Sequence, residues 1–341
     1  MSNSRFPTRS LLNGRLNLPV LGFGGAPLGG LLRPNDNNAA IDMLANTWGR
    51  GYRYYDTAPF YGFGRSERAI GDALRGRDYI LSTKVGRLLE FGMHDDPAGL
   101  GWPDPLPFTP RFDYGYDAIM RSFEDSLQRL GLDRIDILFV HDIGEFTHGA
   151  EENNKHFKDL CDGGYRALDE LRSSGAIKAI GLGVNEIAIC REAFAVGDWD
   201  MFLLAGRYTL LEQMALDKLL PECMAAETSI IVGGPYNSGA LVGGDTWNYE
   251  AIPVDVASKI ARLHDSARDH NVSLSAAALQ FPLAHPAVVS VIPGLRDTSE
   301  LEDTMSWADE DIPSAFWHDL RARGLLHEAA PIPETNPYRG Q

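Results

Sequence analysis

A carboxylate, a phenol, an ammonium and an imidazole stand at or just beyond the ends of three short β-branched or aromatic runs. They are Asp56 and Tyr61 in YYDTAPFYG, Lys84 in ILSTKV and His141 in DILFVHD. Gathered at one rim, these groups can move a proton to or from a substrate oxygen. A free phenol ionises near pH ~10, and a nearby ammonium favours the phenolate. Lys84 is therefore expected to lower the Tyr61 value, with Asp56 holding Lys84 as its ion-pair partner. His141 can hydrogen-bond a substrate oxygen or relay its proton. Singly, a strand-end Asp reads as a cap and a Lys as a solvated side chain. Together at strand ends they form a more specific pattern.

The elements that must position them alternate. Strand-like runs PVLGFGG, YRYYDTA, YILSTKV, IDILFVHD, AIKAIGLGVN, DMFLLAG, SIIVGGP and AVVSVIPG are separated by amphipathic helical stretches. Eight βα units without a linker or a composition shift predict an α/β fold, a (β/α)8 TIM barrel, rather than an open doubly wound sheet. The chain reads as a single barrel domain, 1–341, with an N-terminal hairpin region at 1–18 and a C-terminal helix and tail at 309–341. Asn13-Gly14 marks the hairpin turn, placed to plug the barrel's bottom. Pro221 is expected to interrupt the helix of MALDKLLPECMAAE. Long connections at 88–112, 142–162 and 234–253 should rise from the C-terminal face as binding loops. Trp102, Phe108 and Trp247 sit in them as candidate substrate walls.

Composition narrows the function classes. Of 341 residues, 44% are apolar and 23% charged, as in soluble globular proteins. No run is long enough to span a bilayer, and the opening MSNSRFPTRS lacks the apolar core of a signal peptide. The net charge of −16 disfavours nucleic acid and anionic membrane surfaces as partners. Cys161, Cys190 and Cys223 are sparse and lack metal-binding spacing, which suits a reducing cytoplasm. A monomer or weak homo-oligomer acting on a small molecule is the expectation.

The stretches DTAPFYGFGRSERAIGDAL, LSTKV, LGLDRIDILFVHD, GAIKAIGLGVN and VIPGL resemble the aldo-keto reductases along nearly the whole chain. The resemblance implies that Asp56, Tyr61, Lys84 and His141 form the catalytic tetrad. It also implies hydride transfer between a nicotinamide and a carbonyl or carbinol carbon, with the cofactor lying across the rim. Asn185 falls on a carboxamide-holding position, followed by Glu186 in place of the usual partner. Ala205 replaces a common Gln, and Gly233 or Gly234 replaces a stacking aromatic, which leaves open whether Tyr236 stacks instead. Asn237, Ser238 and Gly239 match the segment that cradles the pyrophosphate. Gly24, Gly294, Leu295, Arg296, Glu300 and Asp303 complete the implied cofactor site, with Asp303 facing the adenine amine. Relatives that prefer NADP carry Lys and Arg where this chain has Gly294 and Glu300. A carboxylate there would repel a 2′-phosphate and accept a ribose hydroxyl, so NAD is the preferred cofactor, with NADP possible.

GFGGAPLGG, GVNE, AGRYTLL and GGPYNSGAL are similar to a subgroup of aldose and pyridoxal dehydrogenases. That likeness implies NAD-dependent oxidation of an L-fucose, L-galactose or D-arabinose type sugar at C1, with Tyr61 as base and an aldonolactone as product. Oxidation of pyridoxal to its lactone, NADPH-dependent aldehyde reduction and a cofactor-bound regulatory role are the alternatives. Phe60, Trp102 and Asp142 are the substrate-site candidates. Aromatic walls would favour pyridoxal, and charges and amides a sugar.

Overall fold

The computed structural model describes residues 4–339. The outermost residues of the expected 1–341 domain, 1–3 and 340–341, lie outside the described residues. Eight parallel strands form the central sheet: β1 (Phe23–Gly24), β2 (Tyr54–Asp56), β3 (Ile80–Val85), β4 (Ile137–His141), β5 (Ala179–Val184), β6 (Met201–Ala205), β7 (Ser229–Gly233) and β8 (Val288–Ile292). Each strand pairs with the next in chain order. Parallel bridges Leu21–Val291 and Gly24–Gly294 bring the first strand back to the last. The chain is a (β/α)8 barrel.

Strands such as ILFVH and AIGLGV are buried along their whole length, as parallel strands covered on both faces must be. Leu16, Leu18, Tyr54, Ile137, Phe139, Met201, Ile231 and Val289 fill the interior, while a larger cluster packs the helices onto the outside. Leu16 and Leu18 come from an antiparallel hairpin, Thr8–Leu11 with Leu16–Pro19. Arg9 of that hairpin donates to the Leu283, His285 and Val288 carbonyls, so the hairpin sits where β8 begins.

The long connections hold more structure than loops. Residues Arg87–Phe91 and Phe108–Phe112 pair as an antiparallel hairpin. The 142–162 connection contains the helix Glu145–Asp159, which is bent at Gly149 and followed by a wider turn at Leu160–Gly164. In the 234–253 connection, Thr246–Trp247 pairs with Glu250–Ala251 across a two-residue turn. Pro221 interrupts nothing: the helix Leu219–Ala225 begins two residues before it. A proline in the first turn lacks only an N–H that would have no intrahelical partner.

Candidate active site

The tetrad residues converge. Asp56 closes β2, Lys84 is the penultimate residue of β3, and His141 closes β4. Tyr61 lies in the turn before the helix Arg65–Leu74. Lys84 Nζ donates to Asp56 Oδ2 at 2.7 Å and to the Thr57 carbonyl at 2.9 Å. Ser82 Oγ donates to Asp56 Oδ1 at 2.7 Å, so both carboxylate oxygens are occupied. A Cβ at Gly183 would stand 3.2 Å from Lys84 Cε, which explains the small residue opposite the lysine stem. Lys84 Nζ lies 4.6 Å from the Tyr61 ring centroid. The His141 imidazole meets the same ring edge-on at 5.6 Å.

The electrostatics correct the expectation for Tyr61. Burial raises its phenol well above the ordinary value, and the carboxylates of Asp56 and Asp142 raise it further. The expected lowering by Lys84 does not appear, because the ammonium is already matched by Asp56. The group that does oppose the rise is the guanidinium of Arg87. Burial, reinforced by Arg87 and Lys84, drives His141 far below its usual value and keeps it neutral. The site therefore presents a protonated phenol beside a neutral imidazole.

Arg87 escaped the sequence reading. It follows β3 after Gly86, opens the hairpin strand Arg87–Phe91 and is buried. Its Nη2 pairs with Asp142 Oδ2 at 2.6 Å, and its guanidinium lies 4.0 Å from the Phe60 ring centroid. Asp142 also accepts from Asn185 Nδ2 at 3.2 Å, and Oδ2 stands 3.4 Å from His141 Nε2. Burial still raises the Asp142 carboxyl, against the pull of Arg87 and Lys84. The only signal in sequence was an Arg one residue past a strand-ending Val-Gly.

Two adjoining cavities open at the tetrad. The larger, about 470 Å³, is lined by every residue of the implied cofactor set, from Gly24 through Asn185, Tyr236, Asn237, Ser238 and Gly239 to Gly294, Leu295, Arg296, Glu300 and Asp303. The smaller, about 230 Å³, is lined by Phe60, Trp102, His141 and Asp142. Tyr61, Asn185 and Tyr249 line both. Trp247 and Phe108 line neither: Trp247 Nε1 donates to Glu212, and Phe108 pairs with Phe91 in its hairpin.

Several side chains do other work than their positions suggested. Glu186 accepts from the Phe146 N–H at 2.8 Å and so caps the helix Glu145–Asp159. The Asn237 amide is buried and spent on Gly206, Thr209 and Glu212, and its backbone N–H donates to the Gly234 carbonyl at 3.0 Å, so Asn237 shapes the turn. Tyr236 packs edge-on against Trp307 at 5.6 Å, close to the charges of Asp303 and Glu300. Glu300 accepts from the Arg296 N–H at 2.7 Å and faces Arg33 at 3.6 Å, a neighbour the sequence did not announce. Gly294 has a steric reason: its Cβ would lie 2.9 Å from Pro27 Cγ, where the barrel closes.

A family model described as the aldo/keto reductase family matches residues 20–323. This chain belongs to the aldo/keto reductase family. A pyridoxal 4-dehydrogenase of Microbacterium luteolum is 42% identical over 334 residues, covering 93% of this chain and 97% of that protein. A D-threo-aldose 1-dehydrogenase of a Pseudomonas species is 35% identical over 324 residues, covering 91% and 95%. Among solved structures, a holo-form aldo-keto reductase from Bacillus halodurans superposes with a TM-score of 0.74 at 23% identity, covering 97% and 99%. That last likeness speaks to the fold alone.

This aldo/keto reductase is an NAD(P)-dependent oxidoreductase, as its family and dehydrogenase-named relatives show. The larger cavity fits a nicotinamide dinucleotide on its own features. A Cβ at Gly24 would stand 3.0 Å from the Ile292 carbonyl, and one at Gly234 would meet nothing closer than 3.9 Å, leaving a bare wall. Asn237 and Ser238 hold positive φ. The Asn237 and Gly239 N–H groups close the turn onto the Gly234 and Tyr236 carbonyls, while the Ser238 N–H makes no hydrogen bond among the described residues and can meet an anion. The Arg296 guanidinium lines the far part of the cleft and keeps Nη1 without a partner among the described residues. No helix among the described residues is long and apolar enough to cross a membrane.

Proposed function

We propose that this aldo/keto reductase oxidises a cyclic hemiacetal to a lactone, and that the hemiacetal is a pyridoxal-type ring. The observation that carries the reading is the smaller cavity, walled by Phe60, Trp102 and Tyr249 and floored by Tyr61 and His141. Its volume of about 230 Å³ suits one small ring, and planar aromatic walls suit a planar substrate. The resemblance to a pyridoxal 4-dehydrogenase supports the same choice.

The residues divide the work. Neutral His141 hydrogen-bonds the hemiacetal oxygen, and Tyr61 takes its proton. Lys84, fixed by Asp56 and the Thr57 carbonyl, holds the positive charge near the phenol. A bound nicotinamide would supply the hydride acceptor, with Asn185 to hold its reacting end and the Ser238 N–H to meet its phosphates. A raised phenol gives up its proton only in alkaline solution, so the oxidative rate should climb with pH while the reductive rate falls.

NAD is the preferred acceptor in this reading, because Glu300 places a carboxylate where a 2′-phosphate would sit. Arg33 and Arg296 beside it keep NADP usable. A second reading, oxidation of an aldose at C1, is favoured by Asp142 and Asn185, which line the cavity and offer sugar hydroxyls hydrogen-bonding groups, with Arg87 pairing Asp142 from behind. A screen for NAD reduction over pyridoxal, L-fucose, L-galactose, D-arabinose and L-rhamnose decides between them. Turnover of pyridoxal at least tenfold above every sugar supports the first reading, and the reverse order replaces it with the second.

A further inference from the structure

Tyr249 occupies the second position of the two-residue turn between Thr246–Trp247 and Glu250–Ala251, with φ of 67°. Such turns need positive φ at both central residues, hence the usual Asn-Gly. Asn248 suits the first position, with φ of 50°. A tyrosine in the second is strained, because its Cβ crowds the backbone where glycine would not.

The surroundings hold the strain in place. Arg207 Nη1 donates to Asn248 Oδ1 at 2.9 Å, and its Nε to the Asn185 carbonyl at 2.7 Å. Glu212 pairs with Arg207 at 3.1 Å and accepts from Trp247 Nε1 at 3.0 Å. The Tyr249 N–H reaches Ser238 Oγ at 3.3 Å. Strain fixed this firmly in a site points to a use for the side chain. Tyr249 lines both cavities, and 48% of its surface is accessible. The lining of the larger cavity is nearly bare of side chains at Ala205, Gly206, Gly233 and Gly234.

We propose that Tyr249 is a specificity-determining residue, its ring covering a planar substrate ring at the junction of the two cavities. This deepens the proposed function and rests on the oxidoreductase site it describes. An aromatic face that strand ends β6 and β7 do not supply is delivered from the hairpin above. Tyr249 then adds, to the walls made by Phe60 and Trp102, the face that sets selectivity for flat aromatic substrates over aliphatic ones.

The test is reduction of pyridine-4-carboxaldehyde against propanal, with NADH and NADPH, by the wild type and by Tyr249→Phe and Tyr249→Gly. The glycine variant should lower the aromatic-to-aliphatic ratio of kcat/KM about tenfold, through KM for the aromatic aldehyde. Phenylalanine should restore the ratio to within about twofold, because a ring face is all that is required. The glycine variant should melt no lower than the wild type, since glycine relieves the turn. An unchanged ratio, an equal loss with both aldehydes, a phenylalanine variant as poor as glycine, or a wild type that turns over no aromatic aldehyde overturns the proposal. Failure of the wild type to oxidise pyridoxal, with the aldehyde ratio still responding to Tyr249, sinks the pyridoxal reading and leaves this one standing.

Discussion

The long cleft is walled largely by backbone, with Gly24, Gly206, Gly233, Gly234, Gly239 and Gly294 along it. The smaller cavity beside it is walled by side chains, Phe60, Trp102, His141, Asp142 and Tyr249 among them. A backbone wall gains recognition by close approach and loses it when a Cβ intrudes. A side-chain wall can be reshaped one residue at a time without disturbing the barrel. The two regions meet at Tyr61, so one phenol serves a rigid neighbour and an adjustable one.

The sharpest way to break the comparison is to remove the shared group. Tyr61→Phe should lower kcat by roughly 10² to 10⁴, the usual range for losing an acid–base group, with NAD affinity nearly unchanged. Steady-state kinetics with a separate NADH-binding titration checks this, and retained turnover would mean that another residue handles the proton. Lys84→Met probes the same point from beside it. Without the ammonium, Asp56 is an unpaired carboxylate that raises the phenol further, so the alkaline limb of the pH–rate profile should move to higher pH.

Arg87→Met attacks the support behind the side-chain wall. It leaves the partly buried Asp142 without its cation. Breaking a fully buried pair costs about 3–5 kcal/mol, and the loss here should fall below that range. The sign with pH follows from the carboxyl, whose folded-state value is already raised by burial. Losing the guanidinium raises it more, so the folded variant holds its proton more tightly than the unfolded chain. The deficit should therefore be small in acid and grow as pH rises past the unfolded carboxyl value near ~4. Melting temperatures taken from pH 5 to 8 would show it. Asp142→Asn on the same background should recover much of the loss, and failure to recover would mean that Arg87 matters through Phe60 and Phe112 instead.

The contrast also explains what could be read in advance. Residues fixed by strand ends were legible: Asp56, Lys84 and His141 lie where β-branched runs stop, and the barrel follows from eight such runs. The cleft was legible by resemblance, since glycines and short polar motifs at strand ends hold their places. The smaller cavity was not. Tyr249 reaches it from a hairpin, Arg87 backs its Asp142 and Phe60 from another, and the helix that Glu186 caps brings Phe146 and Thr147 to its lining. Hairpins set on a long connection carry only short, weak patterns, and nothing local says which barrel strand they will lean over. The direction of the Tyr61 shift was missed for a related reason. Asp56 was read as the anchor of Lys84 and not as a charge that offsets it at the phenol, and the burial that outweighs both has no local signature in the sequence.

A backbone wall should be brittle. Gly294→Ala would put a methyl 2.9 Å from Pro27 Cγ and 3.0 Å from Cδ. The two segments joined by the Gly24–Gly294 bridge would have to separate. Overpacking of this kind costs roughly 1–3 kcal/mol. KM for NAD should rise severalfold, with kcat close to wild type, because the proton-transfer groups lie elsewhere. A fall in kcat with KM unchanged would place Gly294 outside the cofactor's path.

The mildest change sharpens the comparison most, because it asks whether any side chain on the backbone-built cleft sets cofactor choice. Glu300→Gln keeps an oxygen to accept the Arg296 N–H and removes only the charge. Arg33, 3.6 Å from that carboxylate, would then be free to meet a phosphate together with Arg296. A single exposed charge acts through water and is screened, so the shift should be modest. The NADP-to-NAD ratio of kcat/KM should rise about tenfold at low salt and less at 0.5 M, where the Debye length is only a few ångströms. Lysine at 300 would add a positive charge but abandon the Arg296 N–H and crowd two arginines, so the amide is the cleaner probe. A ratio that stays put at both salt concentrations means Glu300 serves its helix start and Arg296 alone, and the choice between the two dinucleotides is made by backbone.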